Sequence, residues 1–409
     1  MKEVGFAVVG VRNFADSYLN NIAELEEEGE IKLTAVVVKD QIKNAKKVRD
    51  LRGRGIAIYN SYETLLKEAK ASVDIIGLPI SIPTHSRLAI KGMQAGYNIL
   101  LEKPPAPTIQ ELDAMIKTEK ETGKFVSIGF QFIHSTTIRK IKHFILDGKL
   151  GEVKEIAAKG FWPRFKSYYD RNDWAGKSVY QGQLVLDGPI HNAFAHYLNN
   201  MIFLAGSDLN SSAQLKQIRA ELYRAHSYIE ADDTSCLAAE TTTGTKIYFY
   251  VTHVPEKTRH PYMEIIGTKG KIKWHMENEV TKIELNNGQI NEFDCEDLNP
   301  HQEVFRVAAA KQLGLIENLY CTPENTRSFT IAINGAYDSA KKIKVIPHQL
   351  IKEFTNDQGE YQTVLPGIDS LIDKAFEARK LLSDLNEVDW AAQSEWINLE
   401  NYNIFNPFI

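Results

Sequence analysis

Along the first third of the chain, apolar residues gather in short runs, and more polar stretches with helical spacing separate them. Val4–Gly10, Lys32–Val38, Ile56–Tyr59, Val73–Leu78, Ile99–Leu101 and Phe125–Ile128 read as strands. Several are continuous in β-branched residues, as strands buried on both faces are. Between them, Ala15–Glu28, Ile42–Leu51, Ser61–Lys70, Ser86–Ala95 and Ile109–Thr122 read as helices, with Gly96 ending the fourth and Thr108 capping the fifth. Strands alternating with helices of this length predict an α/β fold whose first domain, 1–130, is a doubly wound parallel sheet of the Rossmann type.

From about Gln131 the pattern changes. A helix is predicted over Ser135–Gly148, and then period-2 runs dominate: Lys154–Phe161, Gln217–Tyr223, Ser235–Glu240, Lys246–His253, Tyr262–Gly267 and Lys271–His275. One helix, Pro189–Phe203, interrupts them. These runs predict an α+β domain over 131–345, built on a large, mostly antiparallel open sheet. Residues 346–409 are expected to be helical through Gly367–Leu385 and then irregular. Trp390, Trp396, Tyr402 and Phe405 give that tail aromatic surface to pack on the body or on a neighbouring subunit. An open sheet leaves a broad face to cover, which predicts a homodimer or homotetramer. The sequence contains no internal repeat.

The composition is that of a globular protein with room for two or three domains: 409 residues, 43% hydrophobic and 25% charged. A net charge of -5 argues against nucleic acid as partner, while leaving room for a local basic site that takes a small anion. Cys236, Cys295 and Cys321 are few and widely spaced. They show no metal-ligand spacing and fit a reducing compartment. The chain opens directly into a strand, without the apolar core of a secretory signal, and no apolar run approaches the ~20 residues that span a bilayer. A cytoplasmic protein with no membrane partner is expected.

Chemistry enters at three places. The first strand runs into Gly10-Val11-Arg12-Asn13-Phe14-Ala15 and then a helix, where a dinucleotide fingerprint stands. Gly10 meets the need for a tight turn and Ala15 the need for a small residue under the helix. Arg12 holds the position where a second glycine admits the pyrophosphate. Either its side chain swings out to pair with a phosphate, or the loop has lost its cofactor. At the end of the second strand, Val38 and Lys39 stand where a ribose-binding acid is expected, with Asp40 displaced into the loop. Lys39 and Arg12 together favour a 2′-phosphate, hence NADP over NAD.

The second place is Leu101-Glu102-Lys103-Pro104-Pro105, directly after an apolar strand, at the edge where open α/β sheets bind ligands. The proline fixes the backbone behind Lys103, so the ammonium is aimed. Third, Asp187 and His191 lie four residues apart, one helical turn, and can share a face. Lysine, carboxylate and imidazole together suit proton transfer to or from a substrate hydroxyl.

These features resemble the glucose–fructose oxidoreductase / inositol dehydrogenase (Gfo/Idh/MocA) family over essentially the full length. They are Gly10…Ala15, Leu78-Pro79…His85, Glu102-Lys103-Pro104, Asp187-Gly188-Pro189-Ile190-His191 and Gly267-Thr268-Lys269-Gly270. The resemblance implies an NAD(P)-dependent oxidoreductase moving a hydride to or from a sugar, cyclitol or related polyol. Lys103, Asp187 and His191 would be its catalytic residues. Gly10, Arg12, Asn13, Phe14, Lys39, Pro79, His85, Glu102 and Lys103 would line the cofactor. Two other readings of the resemblance stand: an enzyme that cleaves glycosides through transient oxidation by a retained NAD, and a sensor that kept the fold without the chemistry.

Each assignment has a plainer alternative. Lys103 can be a structural partner of Glu102, and Asp187 a helix cap near Pro189. For His85, capping and direct cofactor contact both fit its place. Trp162, Arg164, Tyr168, Tyr169, Arg171, Asn172 and Trp174 form an aromatic–polar cluster. Arg164, Tyr169 and Asn172 are its candidate substrate contacts, alongside Asp187 and His191, with core packing as the alternative. The arginines hint at an acidic or oxidised sugar. Spacing does not decide whether His253 and His260 join them. In many relatives a second acid follows the histidine by three positions; here Phe194 stands there.

Overall fold

The computed structural model describes residues 3–276, 281–293 and 299–407. The chain divides into two units: Met1–Ala106, Gln110–Ser135 and Asp297–Arg327 form the first, and Pro107–Ile109, Thr136–Glu296 and Ser328–Ile409 the second.

The first unit alternates β1 (Val4–Val9), α1 (Phe14–Glu27), β2 (Ile31–Val37), α2 (Ala45–Gly53), β3 (Ala57–Tyr59), α3 (Tyr62–Glu68), β4 (Ile75–Leu78), α4 (His85–Gln94), β5 (Asn98–Leu101), α5 (Ile109–Thr122) and β6 (Val126–Ile128). The sheet order is β3-β2-β1-β4-β5-β6 with every pairing parallel. This is the doubly wound order of dinucleotide-binding sheets. All residues of β4 and β5 are buried, which is why these strands read as unbroken apolar runs. Because the strands are parallel, Gly10, Lys39, Pro79, Glu102 and Lys103 all follow carboxyl ends on one edge of the sheet.

The second unit opens with α6 (Thr136–Leu146), β7 (Val153–Phe161), the single turn α7 (Lys166–Tyr169), a hairpin of β8 (Val179–Tyr180) and β9 (Gln183–Leu184), and α8 (Ala195–Leu204). Then follow β10 (Leu215–Arg224), β11 (Thr234–Thr241), β12 (Lys246–Thr252), β13 (Arg259–Gly267), β14 (Gly270–His275), β15 (Thr281–Leu285) and β16 (Ile290–Phe293). The chain returns to the first unit with α9 (Pro300–Gln312), whose Phe305 meets Phe6 and Tyr18 edge-on at centroid distances of 5.8 and 5.0 Å. It closes in the second unit with α10 (Arg327–Ala340), β17 (Lys344–Val345), the hairpin β18 (Lys352–Thr355) and β19 (Tyr361–Val364), α11 (Ile368–Ala378) and β20 (Ile397–Asn398).

The large sheet runs β16-β15-β14-β13-β7-β12-β11-β10-β17, with β20 also on β10. Only β7 with β12 and β10 with β17 pair in parallel. Side chains alternate along β7. Ala157 and Phe161 cluster with Leu371, Ile372 and Phe376 of α11 on one face, while Gly160 backs onto the Phe194 ring ahead of α8. Both faces of this central strand are therefore covered from within the chain. On one of these faces α11 covers β7 and β12.

Two expectations change. The helix expected from Pro189 starts only at Ala195, because Asn192 and Phe194 donate their N–H groups to Gly188 and Pro189 in a wider turn. Helices α9 and α10 were not anticipated. Asn334 and Gly335 in the middle of α10 carry poor helix propensity, and tertiary packing overrides it.

Candidate functional site

In the first unit, Gly10 has φ +111° and donates its N–H to the Val37 carbonyl at 3.0 Å. A Cβ there would stand 3.3 Å from that of Ala15, so both residues need to be small. Arg12 does not crowd this turn. Its guanidinium donates to Asn44 Oδ1 (2.6 Å) and to the Lys43 carbonyl (2.9 Å), which draws the side chain onto the loop after β2. Lys47 donates to the Val11 carbonyl (2.7 Å) and to Asp16, fixing the turn from beneath.

Asn13, at φ +56°, makes no side-chain cap on α1, so a cap does not satisfy the first-turn amides of that helix. A small residue under a tight turn, an uncapped helix start and an arginine held aside together fit a dinucleotide pyrophosphate. Phe14 lies beside them, 42% exposed and edge-on to Tyr18. Lys39 is exposed after β2. Asp40 is committed to its own turn, accepting the Lys43 N–H at 2.8 Å.

At the end of β5, Glu102 is buried. Its carboxylate accepts the Tyr18 hydroxyl (3.0 Å) and the Lys103 N–H (3.1 Å). Burial raises its pKa to about 7, with Lys103 and Tyr18 pulling the other way. Gly129 leaves the room, since a Cβ there would lie 2.9 Å from Oε1. The Lys103–Pro104 peptide is cis. Pro79 follows β4, and fully buried His85 begins α4 after it. Its Nδ1 lies 2.7 Å from the Pro104 carbonyl and its Nε2 2.9 Å from the Ile80 carbonyl, tying the lysine's loop to the turn after β4. Burial lowers its pKa, with the two carbonyl contacts pulling the other way.

In the second unit, Asp187 follows the β8–β9 hairpin and is buried. Its carboxylate accepts the Gly176 N–H (2.7 Å) and the Asn192 side-chain amide (2.6 Å), and Arg171 approaches to 3.5 Å. It caps no helix. Gly188 follows because a Cβ there would collide with the buried Asp232 carboxyl. His191 is fully buried and stacked on Phe329 at 6.2 Å and 19°. Its Nδ1 faces the Val185 and Leu186 carbonyls, both at 3.1 Å. Two acceptors at Nδ1 place the proton there and the lone pair on Nε2, the form in which imidazole takes up a proton.

Both Arg171 and Arg164 lie over the Tyr168 ring, 3.7 and 4.7 Å from its centroid. Tyr169, the last residue of α7, is buried edge-on to His226 (5.2 Å) and Tyr228 (5.8 Å). Asn172 spends its carbonyl oxygen on the Trp174 and Ala175 N–H groups (3.1 and 2.8 Å). Phe194 is buried between Trp162 (4.6 Å, 21°) and His253 (5.4 Å, 22°), both stacked on it. His253 has its pKa well below the ordinary value, first through burial and then through Arg164. Trp162 donates to His260 at 3.4 Å.

Two family models match the chain. One, described as the oxidoreductase family with an NAD-binding Rossmann fold, covers residues 4–130; the other, the GFO/IDH/MocA C-terminal domain, covers 138–273. The chain belongs to the Gfo/Idh/MocA family.

Among relatives, 2,7-anhydro-N-acetylneuraminate hydratase of Mediterraneibacter gnavus is 29% identical over 155 residues, 37% of this chain and 38% of the relative. Inositol 2-dehydrogenase of Salmonella paratyphi B is 23% identical over 146 residues, 36% of this chain and 42% of the relative. Each match thus spans less than half of the relative. Of solved structures, the WlbA dehydrogenase of Bordetella pertussis, in complex with NADH and UDP-GlcNAcA, superposes with a TM-score of 0.67 at 20% identity, covering 83% of this chain and 97% of that one. UDP-N-acetylglucosamine 3-dehydrogenase GnnA of Acidithiobacillus ferrooxidans gives 0.65 at 18%, covering 81% and 96%. At these identities the likeness is one of fold.

Within this Gfo/Idh/MocA chain, Gly10, Arg12, Asn13, Phe14, Lys39, Pro79, His85, Glu102 and Lys103 lie in the first unit, and Arg164, Tyr169, Asn172, Asp187 and His191 in the second. Sequence reasoning missed Tyr18, Asn192 and Asp232, which hold Glu102, Asp187 and the Gly188 turn. It also ranked Tyr169 and Asn172 above Tyr168 and Arg171. The spacing of Tyr168 and Arg171 was the available signal. For Tyr18, 84 residues from Glu102, no local signal exists.

Proposed function

We propose that this chain is an NAD(P)-dependent dehydrogenase or reductase acting on a secondary alcohol of a sugar, cyclitol or related polyol in the cytoplasm. The observation that carries the reading is the common edge of the parallel sheet, where the Gly10 turn and Lys103 both stand at carboxyl ends. NAD(P), when bound, supplies the hydride acceptor or donor. Lys103, aimed by its loop, hydrogen-bonds the reacting oxygen and stabilises negative charge on it. His191 takes the hydroxyl proton on Nε2 during oxidation and returns it during reduction. Asp187, which accepts the Gly176 and Asn192 donors with Arg171 at 3.5 Å, orients the turn that carries His191 and takes part in binding a substrate hydroxyl. Gly10, Asn13 and the start of α1 would hold the pyrophosphate.

NADP is the favoured dinucleotide. Lys39 is exposed where relatives that use NAD would place an acid, Asp40 is spent on its own turn, and Arg12 is anchored on the neighbouring loop. Titration of the purified protein with NADPH and NADH, followed by nicotinamide fluorescence, tests this reading beside turnover on a panel of sugars and cyclitols. Tighter NADPH binding that Arg12→Ala and Lys39→Ala abolish supports it. Equal affinity for both dinucleotides removes the NADP assignment. Co-purifying NAD without net turnover would replace the dehydrogenase by a retained-cofactor enzyme.

A further inference from the structure

The loop after β7 gathers more positive charge than it neutralises. Arg164 and Arg171 share the Tyr168 ring. Arg171 has one carboxylate within reach, Asp187, whose oxygens are also held by Gly176 and Asn192. Among the described residues Arg164 has no carboxylate within ion-pair distance, and its Nε is buried with no hydrogen-bond partner. The nearby Asp233 is taken up by His226 and by the Ala225 and His226 N–H groups, and Asp170 by Lys166. Two guanidiniums against one carboxylate leave a single positive charge uncompensated, beside the turn that carries Asp187 and His191. Like charges brought to one aromatic ring repel unless a counter-ion joins them.

We infer that Arg164, with Arg171 and Tyr168, forms a subsite for a carboxylate, so that the sugar taken by this site is a sugar acid. The inference rests on the sugar-oxidoreductase reading and names its substrate class. A planar guanidinium whose Nε donor is unspent matches the two oxygens of a carboxylate. One residual positive charge balances a monoanion and falls short of a phosphate dianion.

The test is calorimetric titration of the full chain, loaded with NADPH or NADH, at low ionic strength. The probes are D-glucuronate, D-galacturonate, their methyl esters and glucose 6-phosphate. At least one free acid is expected to bind about tenfold or more tighter than its ester, and Arg164→Gln to remove most of that advantage. Arg164→Lys, which keeps the charge but not the fork, should retain only part of it. If Arg164→Gln fails to fold, the acid-to-ester ratio of the unaltered protein and its decline with added salt decide the matter. Acid and ester binding alike, no binding of either acid, or a preference for glucose 6-phosphate would each overturn the inference. Acid-selective binding without hydride transfer would uphold the subsite and remove the dehydrogenase reading instead.

Discussion

Lys103 and Glu102 are neighbours in sequence with opposite demands. The lysine is to present its charge to a substrate, and the glutamate is buried under Tyr18 with its carboxyl shifted upward to about 7. If Lys103 carries the chemistry, Lys103→Met should lower kcat by roughly 10²-fold or more while dinucleotide binding persists. Near-normal turnover in steady-state assays would remove it from the reaction. Glu102 has a separate signature in stability. Its folded pKa lies above its unfolded value, so its contribution is complete below about pH 4.5 and is lost as pH rises through 7, on the order of 3 kcal/mol in all. Urea unfolding at pH 5 and pH 8 should therefore show Glu102→Gln losing about 2–3 kcal/mol less than the parent protein over that interval. An unchanged difference would mean that the carboxyl is already ionised at pH 5.

At the scale of elements, the turn from Asp187 to Phe194 is held by what lies behind it. Gly188 is the contact point, since any Cβ would strike the Asp232 carboxyl, itself bonded to Tyr337 (3.1 Å) and Ser235. Gly188→Ala is expected to cost about 1–3 kcal/mol and to lower turnover, because the turn must shift. NADPH fluorescence titration should show cofactor affinity intact; a parallel loss of affinity would place the damage elsewhere. The helix that follows, α8, is buried on every side, so its last carbonyls have no water to turn to. Buried Lys142 serves them, donating to Phe203 and Gly206 at 2.6 Å each. Burial lowers its pKa to about 7, and a neutral amine still has a donor for each carbonyl. At pH 8, Lys142→Met should therefore destabilise the protein by roughly 2–4 kcal/mol in denaturant titrations.

At the scale of the whole molecule, the chain leaves the first unit near Thr136 and re-enters it near Asp297, so neither unit is completed by a single stretch of sequence. The second unit depends in the same way on its carboxyl-terminal segment. Leu371, Ile372 and Phe376 cover Ala157, Phe161 and Tyr250, and Arg379 clamps α11 to Glu155 of β7 (2.5 Å) and Glu264 of β13 (2.7 Å). Deleting residues 366–409 would bare this apolar face. The expected result is self-association, visible as a rise in mass by light scattering, whereas a truncated chain that keeps the mass of the full one would show the face to be dispensable. Arg379→Ala, which keeps the cover but removes its clamp, should have a smaller effect of the same kind.

The sequence by itself determined the first sheet, since strands buried on both faces must be apolar throughout and their helices must keep to one period. It also marked Gly10, Glu102, Lys103, Asp187 and His191, because turn glycines and charged residues after apolar strands are locally recognisable. Cys236 and Cys321 are buried free thiols, and Cys295 lies outside the described residues. Tertiary structure alone decided the rest. It started α8 at Ala195, because a wide turn satisfies the backbone ahead of it. It sent Arg12 to Asn44 and set Tyr18 on Glu102. It also placed Arg164 and Arg171 on one tyrosine and laid α11 over the large sheet. Each of these rests on partners distant in the chain or on a packing choice among equivalent side chains, and periodicity carries no record of either.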